Sequence, residues 1–177
     1  MVLLEDECHL LWGDACGYVW GRRNQRVEVP MLNERQRQTY YGAVNLLTHD
    51  IHLRDFPAGN GEYTVAYLRW LRDLYPAQKI ILVWDGATYH RDQHVKAFLA
   101  EQNDGKPEQD WTFLWLALAP NAPQQNPVED IWLQAKNHLR RNFAQNKTFV
   151  AVKNCFVHFL RHFRLESVKF AWYMPNP

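Results

Sequence analysis

The sequence is short of the features that mark secreted, membrane-bound or repetitive chains. Cysteine is scarce: Cys8, Cys16 and Cys155 form an odd set without Cys-x-x-Cys spacing, which makes no disulfide framework and fits a reduced, cytosolic chain. Long apolar runs are missing too. The longest, Phe113 to Ala119, falls far short of the roughly 20 residues that a membrane span needs. The N-terminus carries Glu5, Asp6 and Glu7 where a secretory signal would place basic residues and then an apolar stretch. No internal repeat, low-complexity tract or Gly/Ser linker divides residues 1–177, so a single domain is expected. Net charge is almost absent, at +1.

What is present is globular. Apolar residues make up 47% and charged ones 22% of 177 residues, a usage that excludes intrinsic disorder. A domain of this length buries roughly 70% of its extended-chain surface and folds without a disulfide or metal staple. Eight Trp, nine Phe and eight Tyr supply a core of large rings. The small net charge hides an asymmetry. Residues 1–130 hold 12 Lys/Arg against 18 Asp/Glu, a net −6, and residues 131–177 hold 8 against 1, a net +7. A basic C-terminal segment beside an acidic body points to an anionic partner, nucleic acid first, although a basic helix surface kept for solubility gives the same count.

The first half reads as β-structure. Val2 to Leu4 is apolar, Gly17 to Gly21 resembles a short ordered segment, and Thr39 to Leu47 turns at Thr48-His49-Asp50 into Ile51 to Phe56, an antiparallel hairpin. Helices then alternate with strands. Val65, Leu68, Leu71, Leu74 and Tyr75 recur at helical spacing over residues 62–75. Ile80 to Trp84 and Thr112 to Leu118 read as strands buried on both faces, separated by a helix over Asp92 to Gln102 and a polar loop from Asn103 to Asp110. After a connector with three prolines, Asn126 caps a helix with Pro127 in its first turn, running to about Asn142, and Thr148 opens another to about Arg164. This order predicts an α/β fold, a mixed sheet with helices on its faces.

Three acids stand at element ends. Asp85 follows the buried run Ile80 to Trp84, where a carboxylate is costly to desolvate unless a cation meets it. Asp6 is placed at the end of the first apolar segment, with Glu5 and Glu7 on the opposite side of the strand. Glu129 lies three residues after Asn126, in the first turn of its helix. Each has an ordinary explanation by itself: a turn cap, a solvated acidic edge, a capping box. Together they could converge on one sheet edge. Packed carboxylates repel and would need hard divalent cations, and two such ions about 4 Å apart carry out phosphoryl transfer.

Trp84-Asp85-Gly86-Ala87-Thr88-Tyr89-His90 resembles the Asp-Asn-Ala-x-x-His strand motif of DDE transposases. Leu118 to Trp132, with Pro120, Pro123 and Asn126-Pro127-Val128-Glu129, resembles that family's Pro-rich segment ending in Asn-Pro-Ile-Glu-x-x-Trp. Glu5-Asp6-Glu7, then Gly17 to Trp20 and Arg22-Arg23, is similar to its first strand and hairpin. The similarity is to the mariner-like branch, in particular bacterial insertion-sequence transposases, and covers nearly the whole chain. It implies a ribonuclease-H-like fold: a five-stranded mixed sheet whose first three strands are antiparallel.

The resemblance also implies a site and a reaction. Asp6, Asp85 and Glu129 would be catalytic ligands of two Mg²⁺ or Mn²⁺ ions, and His90 and Asn126 would support the site or contact DNA. The reaction would be DNA cleavage at transposon ends followed by strand transfer into double-stranded target DNA. Family members favour a TA target and act as a homodimer, in the bacterial cytoplasm and on the nucleoid, with no membrane partner. The sequence departs from the pattern. Gly86 replaces the usual Asn, and 43 residues separate Asp85 from Glu129, an excess assigned to the Asn103 to Asp110 loop. The helix-turn-helix module that normally precedes the domain is not found in residues 1–177, so the chain would be either a fragment or one whose DNA-binding part is a separate polypeptide, a candidate partner.

Other signals are read more plainly. Lys136 and Arg140, four apart on the Glu129 helix and followed by Arg141, could hold DNA phosphates or form a solvated basic face. Cys155, His158 and His162 could share a helix face but lack a nearby fourth zinc ligand, which suits a partly buried Cys and two surface His. His49 and His52 are expected to be solvated, and Trp111, Phe113 and Trp115 to pack in the core. The rival functions are another nuclease of this fold, such as a junction resolvase, and a catalytically inactive DNA- or partner-binding relic of a mobile element.

Overall fold

The computed structural model describes residues 1–17, 20–25, 27–28, 35–119, 122, 125–164 and 168–173. Tyr18 and Val19 of the segment expected at Gly17 to Gly21, and Pro120, Asn121, Pro123 and Gln124 of the connector, lie outside these residues.

Five strands form one sheet: β1 (Val2–Leu11), β2 (Arg37–Asn45), β3 (Ile51–Phe56), β4 (Ile80–Trp84) and β5 (Phe113–Ala117). Their order across the sheet is β3-β2-β1-β4-β5. β2 runs antiparallel to both of its neighbours, β1 and β3, while β4 pairs in parallel with β1 and β5 in parallel with β4. The β2–β3 turn is set by local chemistry. Asn45 Oδ1 accepts from Leu47 N at 2.9 Å, and His49 takes a left-handed φ of 60°.

Among the described residues four α-helices cover the sheet: α1 (Gly61–Leu74), α2 (Gln93–Asn103), α3 (Pro127–Arg141) and α4 (Phe149–His162). Each begins at a side-chain cap, Asn60, Asp92, Asn126 and Thr148 in turn. Strand alternation separates two cores. Leu4, Cys8 and Leu10 of β1 pack with Ile131, Trp132 and Leu139 of α3 and Phe156 of α4. Leu3 of β1, with Tyr41 and Ala43 of β2, packs with Tyr67, Leu68 and Leu71 of α1 and Phe98 of α2. The result is an α/β/α sandwich. Among the described residues no helix is long and apolar enough to cross a membrane.

Three expectations need correction. β5 is not buried on both faces: it is the outer strand, with Leu116 56% exposed and Trp115 45% exposed, so only Phe113 of its aromatics is fully packed. An apolar run marks a strand without telling whether a neighbour covers it. Asp6 does not end its strand, because β1 continues to Leu11, paired with β2 all the way. His49 and His52 are packed rather than solvated. The His49 ring stacks on Phe170 at 4.1 Å, and His52 Nε2 bonds the Tyr75 hydroxyl at 2.9 Å.

Candidate active site

Strand register explains how distant acids meet. β4 pairs with β1 only over Val2, Leu3 and Leu4, the last opposite Val83. Two residues further on, Asp6 therefore stands beside Asp85, at the point where β4 ends and β1 continues along β2. Glu129 comes from the first turn of α3, and Asn126 fixes that turn. Its Oδ1 accepts from Val128 N at 3.1 Å and its Nδ2 donates to the Glu5 carbonyl at 2.8 Å, both buried. At 2% exposure Asn126 joins α3 to β1 instead of facing solvent. Asp6, Asp85 and Glu129 all line one cavity of about 740 Å³, together with Asn126, His90, Arg91 and Trp115.

The cavity is electrostatically unsettled. Asp6 is 8% exposed. Burial, and then the negative charges of Glu129, Glu7 and Asp85, push its carboxyl up to about 8. Glu129 is raised by burial and by Asp85, against the opposing pull of Lys169 and Lys136. Asp85 is held below the usual range by its hydrogen bond from His90, with a further bond from Ala87 N at 2.8 Å. Trp132 steadies Asp6 by donating from Nε1 to Oδ2 at 2.9 Å in a buried contact. The Trp132 ring lies over Gly42, the β2 partner of Asp6, where a Cβ would sit 2.5 Å from its Cη2 atom. Three carboxylates, two of them raised by burial and by neighbouring acids, are a donor set that hard divalent cations suit, and a divalent ion would relieve that repulsion.

His90 faces both sides of the sheet edge. Its Nδ1 lies 3.2 Å from Asp85 Oδ1 and its Nε2 lies 3.1 Å from Glu7 Oε1. Trp84 stacks on the ring at 4.2 Å. Burial opposes the charged imidazolium, but the hydrogen bonds with Asp85 and Glu7 and the charges of Glu5 and Glu7 prevail and raise it to about 11. Sequence reasoning missed Glu5 and Glu7 as partners of His90, because an acidic triplet reads as solvated. It also gave Trp132 no role, although its place in the motif three residues after Glu129 was the available signal.

The remaining candidates are not brought to the cavity. Lys136 Nζ pairs with Asp14 at 3.4 Å, and Arg140 Nε donates to the Cys16 carbonyl at 3.3 Å, so both brace the turn after β1. Arg141 is exposed. Cys155 is half-buried and His158 and His162 are exposed, and among the described residues these three do not form a metal-binding group.

Comparisons agree with this architecture. A chain of the simian T-cell lymphotropic virus intasome in complex with PP2A regulatory subunit B56 gamma superposes with TM-score 0.61 at 9% identity, over 94% of this chain and 50% of that one. The Mos1 mariner paired-end complex with Mn gives TM-score 0.60, and the Mos1 transposase paired-end complex with left transposon end gives 0.55. Both are 13% identical and match over 97% of this chain and 50% of theirs. These likenesses establish a ribonuclease-H-like fold, and the chain spans about half the length of each structure. No curated protein matches the sequence. The family profile of the DDE superfamily endonucleases matches residues 2–150, most of the chain, and the chain belongs to that family.

Proposed function

We propose that this chain is a transposase catalytic domain that cleaves DNA at transposon ends and joins the freed 3′ hydroxyl to target DNA. The observation that carries this reading is the meeting of Asp6, Asp85 and Glu129 from β1, β4 and α3 in one cavity. The three acids would hold two Mg²⁺ or Mn²⁺ ions. Bound there, such ions would activate a water or 3′ hydroxyl and take up charge on the leaving oxygen of a phosphodiester.

The chain's own residues prepare that chemistry. Trp132 holds Asp6 in place through Oδ2. His90 and Ala87 N hold Asp85 ionised, and the Asn126 tie to β1 sets the height of Glu129. Arg91, bonded to the Gly86 carbonyl at 2.9 Å, brings a guanidinium to the cavity lining where a DNA phosphate would lie. Cleavage adds the nucleophile oxygen to phosphorus as the bond to the 3′ oxygen breaks, and that oxygen leaves as the hydroxyl used in strand transfer. Double-stranded DNA as substrate, a TA target, a homodimer and a separate helix-turn-helix polypeptide belong to the same reading.

Nicking of supercoiled plasmid in Mg²⁺ or Mn²⁺ tests it. Wild type should nick only with metal, and Asp85→Asn and Glu129→Gln should each abolish nicking. Activity that persists in both variants overturns the assignment.

A further inference from the structure

On the face of β1 opposite Asp6, we infer that Glu5, Glu7 and His90 form a second metal site, one that takes a single divalent transition ion, Zn²⁺ or Mn²⁺. This site does not depend on the reaction proposed for the cavity.

The three side chains each offer one ligand atom, and these atoms lie within 4.8 Å of one another. His90 Nε2 is 3.1 Å from Glu7 Oε1 and 3.8 Å from Glu5 Oε2. None of the three side chains is more than 3% exposed. Two carboxylates turned toward one imidazole in a dry interior are a donor set that a single divalent cation would suit.

Glu5 supplies an independent sign. Both of its carboxylate oxygens are buried without a hydrogen-bond partner, although the side chain is aimed at the imidazole. Nearby hydroxyls do not serve it. Tyr67 donates to the His52 carbonyl at 2.7 Å and Tyr89 donates to Glu7 Oε2 at 3.0 Å. Glu7 thus keeps Oε1 for the centre of the cluster.

The donor set selects the ion. An imidazole nitrogen favours Zn²⁺ and other transition ions, whereas Mg²⁺ and Ca²⁺ prefer oxygen-only shells. The far side of His90 is arranged as for a ligating histidine. An ion would displace the proton from Nε2 and leave the one on Nδ1, which lies 3.2 Å from Asp85 Oδ1. Trp84, stacked at an interplanar angle of 4°, holds the ring in that plane. An ion here would fix His90 and, through it, the orientation of Asp85.

The test separates this site from the cavity. The Asp6→Asn/Glu129→Gln variant, with the cavity ligands disabled, is titrated calorimetrically with ZnCl₂, MnCl₂ and MgCl₂, and its melting is followed with and without EDTA. The expected result is about one equivalent of Zn²⁺ or Mn²⁺ bound, melting raised by the metal, and no comparable effect of Mg²⁺. Adding Glu5→Gln should weaken binding more than about tenfold and make melting indifferent to metal. X-ray absorption of the Zn²⁺-loaded parent chain, which needs no substitution at the site, should show one imidazole among oxygen donors. Absence of binding in the cavity-disabled variant, unchanged affinity after Glu5→Gln, or a shell without imidazole overturns the inference. If the glutamates instead share a proton with His90, Glu5→Gln raises the melting temperature with no metal present and no metal binds.

Discussion

A methyl group on Gly42 should displace Trp132 and, through it, Asp6. The added Cβ would lie 2.5 Å from Cη2 and 2.6 Å from Cζ2 of the Trp132 ring, where ordinary contacts begin at 3.4 Å. The ring is rigid and buried, so it must retreat by about 1 Å, and overpacking of this kind costs about 1–3 kcal/mol. Such a shift also breaks the 2.9 Å bond from Trp132 Nε1 to Asp6 Oδ2. With its carboxyl pushed up to about 8, Asp6 is mostly neutral at pH 7 in metal-free protein, so that bond contributes about 1 kcal/mol. Gly42→Ala should therefore destabilise by about 2–4 kcal/mol. Without the clash the sign would reverse, because replacing Gly by Ala at an ordinary φ stabilises by about 0.4–1 kcal/mol through the unfolded chain. Urea unfolding of wild type, Gly42→Ala, Trp132→Phe and the double variant reads the effect. Phe does not reach the positions of Cη2 and Cζ2, so the double variant should be less destabilised than the sum by about 1.5–3 kcal/mol. Additivity within about 0.5 kcal/mol, or a stabilised Gly42→Ala, refutes the packing argument.

Asn126→Ala removes the cap on Val128 and the bond to the Glu5 carbonyl, and thermal melting should show a loss of about 2–3 kcal/mol. Because folding raises the Asp6 carboxyl from 3.8 to about 8, the folded state holds a proton there that the unfolded state has lost. Stability of the metal-free protein should therefore fall as pH rises from about 4 towards 8 and flatten above, less steeply in Asp6→Asn, as followed by denaturant midpoints. Binding of Mg²⁺ or Mn²⁺ at Asp6 displaces that proton, so calorimetric affinity should rise by up to about tenfold per pH unit until pH 8. Lys136→Ala should leave the salt slope of DNA binding within about 0.5 of wild type, since Lys136 is engaged with Asp14, whereas a lost phosphate contact changes it by about 0.9.

The legibility of the chain follows from how local each signal is. α1 was readable because Val65, Leu68 and Leu71 repeat at its period, and α3 because Asn126-Pro127 is a helix start in itself. β4 was readable as an unbroken apolar run. The neighbours of a strand are not written in its own residues. Phe113 to Ala117 looks like a central strand, yet no strand lies beyond it among the described residues, and Trp115 faces the cavity instead of the core. Convergence of the acids depends on the register of Leu4 with Val83, a pairing between segments far apart in sequence. Glu5 and Glu7 were hidden for the same reason. Their charge suggests solvent, and only the packing of α1, α2 and His90 against that face of β1 buries them.

The central claim is that Asp6, Asp85 and Glu129 jointly hold divalent metal. Anomalous scattering at the manganese edge from crystals grown in MnCl₂ tests it most directly. The account predicts manganese peaks within the cavity, in coordinating contact with carboxylate oxygens of all three residues, and their disappearance in Glu129→Gln crystals. A cavity without manganese, or a peak there that contacts none of the three carboxylates, would contradict it.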